Sequence, residues 1–103
     1  MTTIVPDRSL EQRMEALVKA NEIRFRHAEL KRNIKAGYVA VRDIIEHPPI
    51  WAKGIKMYDL LLAVPMVGVV KAGKMLERSG ISLVKTVGGL SNQQRTELLR
   101  RLP

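Results

Sequence analysis

Apolar positions recur at helical intervals along most of the chain; only residues 81–87 approach the alternation of a strand, and that strand would stand alone. The pattern predicts an all-α fold of about five helices without internal repeats. Ser9 with Gln12 three residues later makes a capping box, and Glu11 suits a first turn. Nothing breaks helix from there to residue 36, and Gly37 fits the C-terminal cap. Such a helix, about 27 residues and about 40 Å long, exceeds what a small core needs, so part of it should project. Its apolar residues keep no single stripe. Leu10, Met14, Leu17 and Phe25 share one side, while Ile23, Leu30 and Ile34 share another and are expected to dock on the body.

The remainder reads as short helices separated by breakers. Residues 39–46 form a helix with Val41, Ile44 and Ile45 inward; His47-Pro48-Pro49 ends it, and Ile50-Trp51 folds back onto the core. Helix resumes over residues 56–64, with Met57, Leu60, Leu61 and Val64 inward. Residues 66–76 form the corner and a further helix, on which Val70, Ala72, Met75 and Leu76 resume the apolar spacing before Ser79-Gly80 ends it, and a loop holding Gly88-Gly89 follows. Ser91 and Gln94 make a second capping box, opening a last helix that buries Leu98, Leu99 and Leu102 and shows Arg95, Arg100 and Arg101 to solvent. The expected organisation is a flexible tail at 1–8, a long basic helix at 9–37, and a helical unit at 38–103 that is compact with it.

The chemistry is expected at the corner. Pro65 has no N–H and pushes Val64 out of the α region, and Gly68 permits close approach or a positive φ. The next helix then begins with unpaired amides at the positive end of its dipole, and Lys71 and Lys74 follow within two turns. That arrangement attracts an anion, and a phosphate is the natural guest.

Composition narrows the guest. The chain has 103 residues, 18 Lys and Arg against 10 Asp and Glu, and a net charge of +8, which favours DNA, RNA or an anionic membrane surface. The first helix carries Arg13, Lys19, Arg24, Arg26, Lys31, Arg32 and Lys35 among Glu11, Glu15, Glu22 and Glu29. Much of this is an ordinary solvated face with pairs such as Glu15 to Lys19 and Glu22 to Arg26. Over residues 24–35, however, cations dominate and suit a nucleic-acid backbone. Without cysteine there is neither disulfide nor thiolate metal site, and no run of 18 apolar residues occurs. The chain therefore reads as a single soluble, cytoplasmic domain without cofactor or membrane span.

Enzymatic motifs fail individually. Residues 68–75 match the GxxxxGK of a phosphate-binding P-loop, but Met75 stands where Ser or Thr must hold Mg²⁺, and no parallel sheet is available to present it. His27 and His47 have no second His at i+3 or i+4, so no metal site is expected. Asp43, Glu46 and Asp59 make no carboxylate pair, and Trp51 beside Ile50 reads as core rather than as a base-stacking platform.

The runs RFRHAELKRNIKAG, LLLAVPMVGVVKAGKMLERSGI and VGGLSNQQRTELL together resemble the actinobacterial integration host factor family, over residues 14–99. The resemblance implies a five-helix fold with a helix-two-turn-helix motif, sequence-tolerant binding of double-stranded DNA, bending or compaction of the nucleoid, and assistance to site-specific recombination beside a recombinase. Pro65, Val67, Gly68, Val70, Lys71, Ala72, Met75 and Gly80 agree with the family pattern, whereas Val69 replaces the usual Lys. Lys85, Thr86, Val87 and Gly88 stand where the family has an Arg-rich loop, so cationic contacts are lost there. The sequence resembles a divergent member of that family.

The expected DNA-binding set is Pro65, Val67, Gly68, Val69, Val70, Lys71, Lys74 and Lys85 around the corner, with Arg24, Arg26, Lys31, Arg32 and Lys35 on the first helix. The protein is expected to be a monomer in solution with no catalytic role. Alternatives are a structured-RNA-binding module of ribosomal type, a protein-interaction module using Leu10, Met14 and Leu17, and a membrane-surface helix, against which the scattered acids argue.

Overall fold

A computed structural model describes residues 9–103; the tail expected at 1–8 lies outside the described residues. Five α-helices follow in order: α1 Leu10–Ala36, α2 Val41–Glu46, α3 Met57–Ala63, α4 Val69–Arg78 and α5 Asn92–Arg101. Single 3-10 turns at Ile50–Ala52 and Val87–Gly89 interrupt the connections. Among the described residues extended pairing is limited to one isolated antiparallel bridge, Lys56 with Thr86. The fold is all-α, as the periodicity implies.

Both capping boxes form. The Ser9 hydroxyl accepts from the Gln12 amide at 3.2 Å and the Ser9 amide donates back to Gln12 Oε1 at 3.1 Å; Ser91 and Gln94 do the same at 3.1 and 3.0 Å. Gly37 closes α1 in the left-handed region at φ 86, where a side chain would be strained. The first buried residues of α1 are Leu30 and Ile34, so its N-terminal half projects, and the molecule extends 60 × 28 × 24 Å.

The core lies under the C-terminal half of α1. Ile45, Met57, Leu60, Leu61, Leu76, Val87 and Leu98 are its fully buried large side chains, and Val64, Leu99 and Leu102 pack against them while only partly buried. Helix α3 packs on both α1 and α4, and α5 closes the unit against α2 and α4. Long-range hydrogen bonds tie α2 to α5: Arg95 donates to the Ile45 carbonyl at 2.9 Å and Arg42 to the Leu99 carbonyl at 3.1 Å. Arg95 is therefore a structural clamp rather than a solvent-facing cation, because the last turn of α2 leaves a carbonyl within its reach.

Two further expectations need correction. Ile50 does not return to the core; it is 86% exposed, because the turn after Pro48-Pro49 aims Trp51 and Ala52 inward instead. Trp51 is half-buried, its carbonyl 2.6 Å from His27 Nε2, and Arg26 lies 5.7 Å over its ring. Ile23 remains 42% exposed, so docking of α1 rests on Leu30 and Ile34.

Candidate nucleic-acid interface

The corner between α3 and α4 is tighter than the sequence alone implies. Val64 is extended and its amide donates to Leu61 O at 3.1 Å; Val67 in turn donates to Val64 O at 3.2 Å. The left-handed residue is Met66 at φ 71, whereas Gly68 is extended at φ −92, ψ −179. Positive φ thus falls on a methionine, and the glycine serves as the N-cap. Helix α4 starts at Val69, after the two turns through Pro65 and Met66.

As an N-cap, Gly68 has no side chain to cap with, and no side-chain cap bond is made. The first main-chain bond back to the corner runs from Ala72 to Gly68 O at 2.9 Å. Among the described residues no protein acceptor takes the amides of Gly68, Val69, Val70 or Lys71. The Val67 amide, by contrast, is spent inside the corner and drops out of the expected set of free donors, and its side chain is buried. Gly68, Val69, Val70 and Lys71 are all exposed, so a cluster of main-chain donors at a helix N-terminus faces solvent. Val70, expected to resume the apolar face, is 70% exposed; Ala72, Met75 and Leu76 carry that face instead.

Lys71 and Lys74 extend the positive surface from these donors along α4. Together with Arg78, Arg100 and Arg101 they line a recess of about 370 Å³ between α4 and α5, floored by Met75. Glu97 partly offsets it, taking Arg100 at 2.9 Å and Arg101 at 3.4 Å, while Arg101 also donates to the Arg78 carbonyl at 3.2 Å. Among the described residues Lys71, Lys74 and Arg78 enter no ion pair. Arg78 is absent from the expected set, although its i+4 spacing from Lys74 and i+7 from Lys71 on one helix would have identified it.

The expected cations on α1 divide. At about 100° per residue, Arg24, Lys31 and Lys35 share one side, with Arg32 beside them, whereas Arg26 falls nearly opposite Arg24. Arg26 is occupied there, 3.4 Å from Glu22 and stacked over Trp51. The end of α1 does approach the corner: Ile34 and Gly37 line one recess with Val64 and Pro65. Lys31, Arg32 and Lys35, in the last two turns before Gly37, are the helix cations nearest to it in the chain.

Lys85 belongs elsewhere. Its carbonyl accepts from the Met57 amide at 2.9 Å, and its side chain runs beside Gly89. The loop around it is turned inward: Val87 is fully buried, and Gly88 donates to Lys53 O at 3.0 Å so closely that a Cβ would stand 2.7 Å from Lys53 Cβ.

No group of His, Cys, Asp and Glu suited to a metal occurs among the described residues, and none of their helices is long and apolar enough to cross a membrane.

The family model for the S13-like H2TH domain matches residues 34–102. Proteins named Integration host factor from Mycolicibacterium smegmatis and Mycobacterium tuberculosis are each 34% identical over 100 residues, spanning 94% of both chains. The Integration host factor of Streptomyces coelicolor is 34% identical over 99 residues, 93% of this chain and 92% of that one. A solved structure of sIHF bound to an 8bp palindromic DNA superposes with a TM-score of 0.73 at 32% identity, covering 80% of this chain and 94% of its own.

Proposed function

The chain belongs to the integration host factor family of actinobacteria, and from that membership we propose how this architectural protein holds duplex DNA. The free amides of Gly68 to Lys71 seat one backbone phosphate, Lys71 and Lys74 take its neighbours, and Arg78 with Arg100 and Arg101 follows the same strand across the α4–α5 recess. Pro65 and Val67 shape the corner. Val69 and Val70 present apolar surface beside the seat, where the sugar face of the backbone would lie.

Lys31, Arg32 and Lys35 provide the second grip, beside the corner at the end of α1, with Arg24 two turns further back along the same side. Two grips on a stiff duplex favour a bent path, and the protein bends or compacts DNA in this way. Both grips hold phosphates rather than base edges, so sequence preference is weak and follows DNA shape. In this reading the basic helix at 9–37 and the unit at 38–103 act together, as a monomer in solution, associated with the nucleoid in the cytoplasm. The role is positional rather than catalytic, and a bent site is what a recombinase would exploit.

The observation that carries this reading is the solvent-facing set of amides at the start of α4, which find no acceptor among the described residues, with Lys71, Lys74 and Arg78 beside it. Its test is salt. With at least about 5 phosphates neutralised, log affinity for duplex DNA should fall against log salt with a slope of about −4.5 or steeper, at ~0.9 per contact. Lys71→Ala and Arg32→Ala should each lessen that slope by about one contact. Filter binding or fluorescence anisotropy over a salt series measures both, and a slope near zero rejects phosphate neutralisation. Structured RNA competing better than duplex DNA at fixed salt would move the assignment to the RNA-binding alternative.

A further inference from the structure

We propose that the Met66 thioether is a reversible oxidation site whose sulfoxide blocks the phosphate seat at the start of α4, so that peroxide weakens the hold on DNA; this rests on the DNA-binding reading above. The turn into α4 runs Val64-Pro65-Met66-Val67 and is closed by the Val67 amide on Val64 O at 3.2 Å. Pro65 takes its second position and Met66 its third, at φ 71, the place in such a turn that favours glycine. A left-handed backbone is strained at a residue with a side chain, and the side chain gains no packing in return: Met66 is 92% exposed. Of the other methionines among the described residues, Met57 and Met75 are buried in the core. Met14 is exposed, but on the projecting half of α1, about 30 Å along the helix from Ile34 and the corner beside it.

The oxidant is hydrogen peroxide. The Met66 sulfur attacks one peroxide oxygen; the S–O bond forms as the O–O bond breaks, sulfur gives up two electrons, and the second oxygen leaves as water with the proton of the first. The product exchanges an apolar chain end for a polar S–O group whose oxygen is a strong acceptor. Two residues on, the amides of Gly68, Val69 and Val70 take no acceptor among the described residues. The Cα atoms of Met66 and Gly68 lie within about 7.6 Å of each other, two virtual bonds of ~3.8 Å, a gap that an unbranched side chain with three rotatable bonds spans. Both residues stand at the N-terminal end of α4, the end toward which those amides point. A thioether sulfur is a weak acceptor and leaves the seat open to phosphate. A sulfoxide oxygen caps the helix, and the phosphate must displace it. The effect is smaller than that of a carboxylate at the same place, because the sulfoxide carries no net charge.

The chain has no cysteine, so peroxide chemistry at sulfur is confined to methionine. Peroxide-treated parent, Met66→Leu and Met14→Leu proteins, freed of oxidant and checked for added oxygen by peptide mass spectrometry, are titrated with duplex DNA by fluorescence anisotropy. Expected is a loss of affinity of about five- to tenfold in the parent and in Met14→Leu, the size of one ordinary hydrogen bond. Met66→Leu should lose none, and methionine sulfoxide reductase should restore the parent. Circular dichroism verifies the fold of each protein. Hydrogen exchange of the free protein gives a second readout that needs no DNA: the amides at 68–70 exchange more slowly once Met66 is oxidised. Unchanged affinity in a parent oxidised at Met66, an equal loss in Met66→Leu, or amides that gain no protection overturns the proposal. A parent that fails to bind duplex before any treatment overturns the DNA-binding reading instead, and the exchange readout still decides whether the sulfoxide caps α4.

Discussion

Gly68→Glu is expected to weaken duplex-DNA binding by about 100-fold while the protein stays folded. The backbone at Gly68 is extended, and a Cβ built there meets nothing within 4 Å, so a side chain enters without strain or collision. A carboxylate at that N-cap would itself satisfy the free amides of α4 and interact favourably with the helix dipole, adding about 0.3–1 kcal/mol to stability. For DNA the same group is a competitor: it occupies the seat and repels the phosphate. Losing a charge-assisted contact of about 1.5–3 kcal/mol and adding a repulsion of about 1 kcal/mol gives roughly that hundredfold effect. Gly68→Ala separates the two causes, because it adds a Cβ without charge and should bind within a few-fold of the parent. Thermal melts beside anisotropy titrations provide the measurement. A folded Gly68→Glu protein with unchanged affinity would show that the free amides at the start of α4 hold no phosphate.

What the sequence exposes about the fold is mostly what local physics decides. Ser9 with Gln12, Ser91 with Gln94 and Gly37 are short-range devices, readable residue by residue, and each caps the helix end it marks. The burial of Leu60, Leu61, Leu76 and Leu98 follows from helical spacing alone. Legibility fails where a long-range partner decides the outcome. Arg95 looks like any surface cation until the Ile45 carbonyl is found across α2, and Arg26 looks like a phosphate ligand until Trp51 is found beneath it. Hydrophobicity argues for Ile50 inward, yet the proline turn allows only its neighbours to face the core.

The site behaves in the same manner. The Pro65 and Gly68 punctuation locates the corner, but not which residue takes the left-handed conformation, since that depends on how two consecutive turns share the residues between α3 and α4. Lys71 and Lys74 are legible from their distance to the helix start. The recess they share with Arg78, Arg100 and Arg101 needs the packing of α4 on α5, which no periodicity encodes. In the loop where the Arg-rich segment would stand, Val87 is buried in the core and Gly88 closes on Lys53.

Leu76→Ala is expected to cost about 3 kcal/mol of folding stability, within the ~2–5 kcal/mol of large-to-small core changes. Leu76 is completely buried in α4, which packs on α3 and α5, so truncation leaves a cavity bordered by elements that cannot all close on it. A domain of this length holds about 5–15 kcal/mol in total. At about 4–8 °C per kcal/mol, the melting temperature should fall by about 12–24 °C. The amides at Gly68 to Lys71 do not depend on that side chain directly, and DNA affinity well below the melting range should change little. Because DNA binds only the folded state, duplex at about 100 times its dissociation constant should return about 2.7 kcal/mol and recover most of the lost melting temperature. The two readouts together separate scaffold from site: Gly68→Glu keeps or slightly raises the melt and loses the DNA-dependent shift, whereas Leu76→Ala lowers the melt and keeps that shift. A Leu76→Ala protein that melts with the parent would mean that α4 is not held by packing on α3 and α5. The rigid presentation of its N-terminal amides would then need another cause.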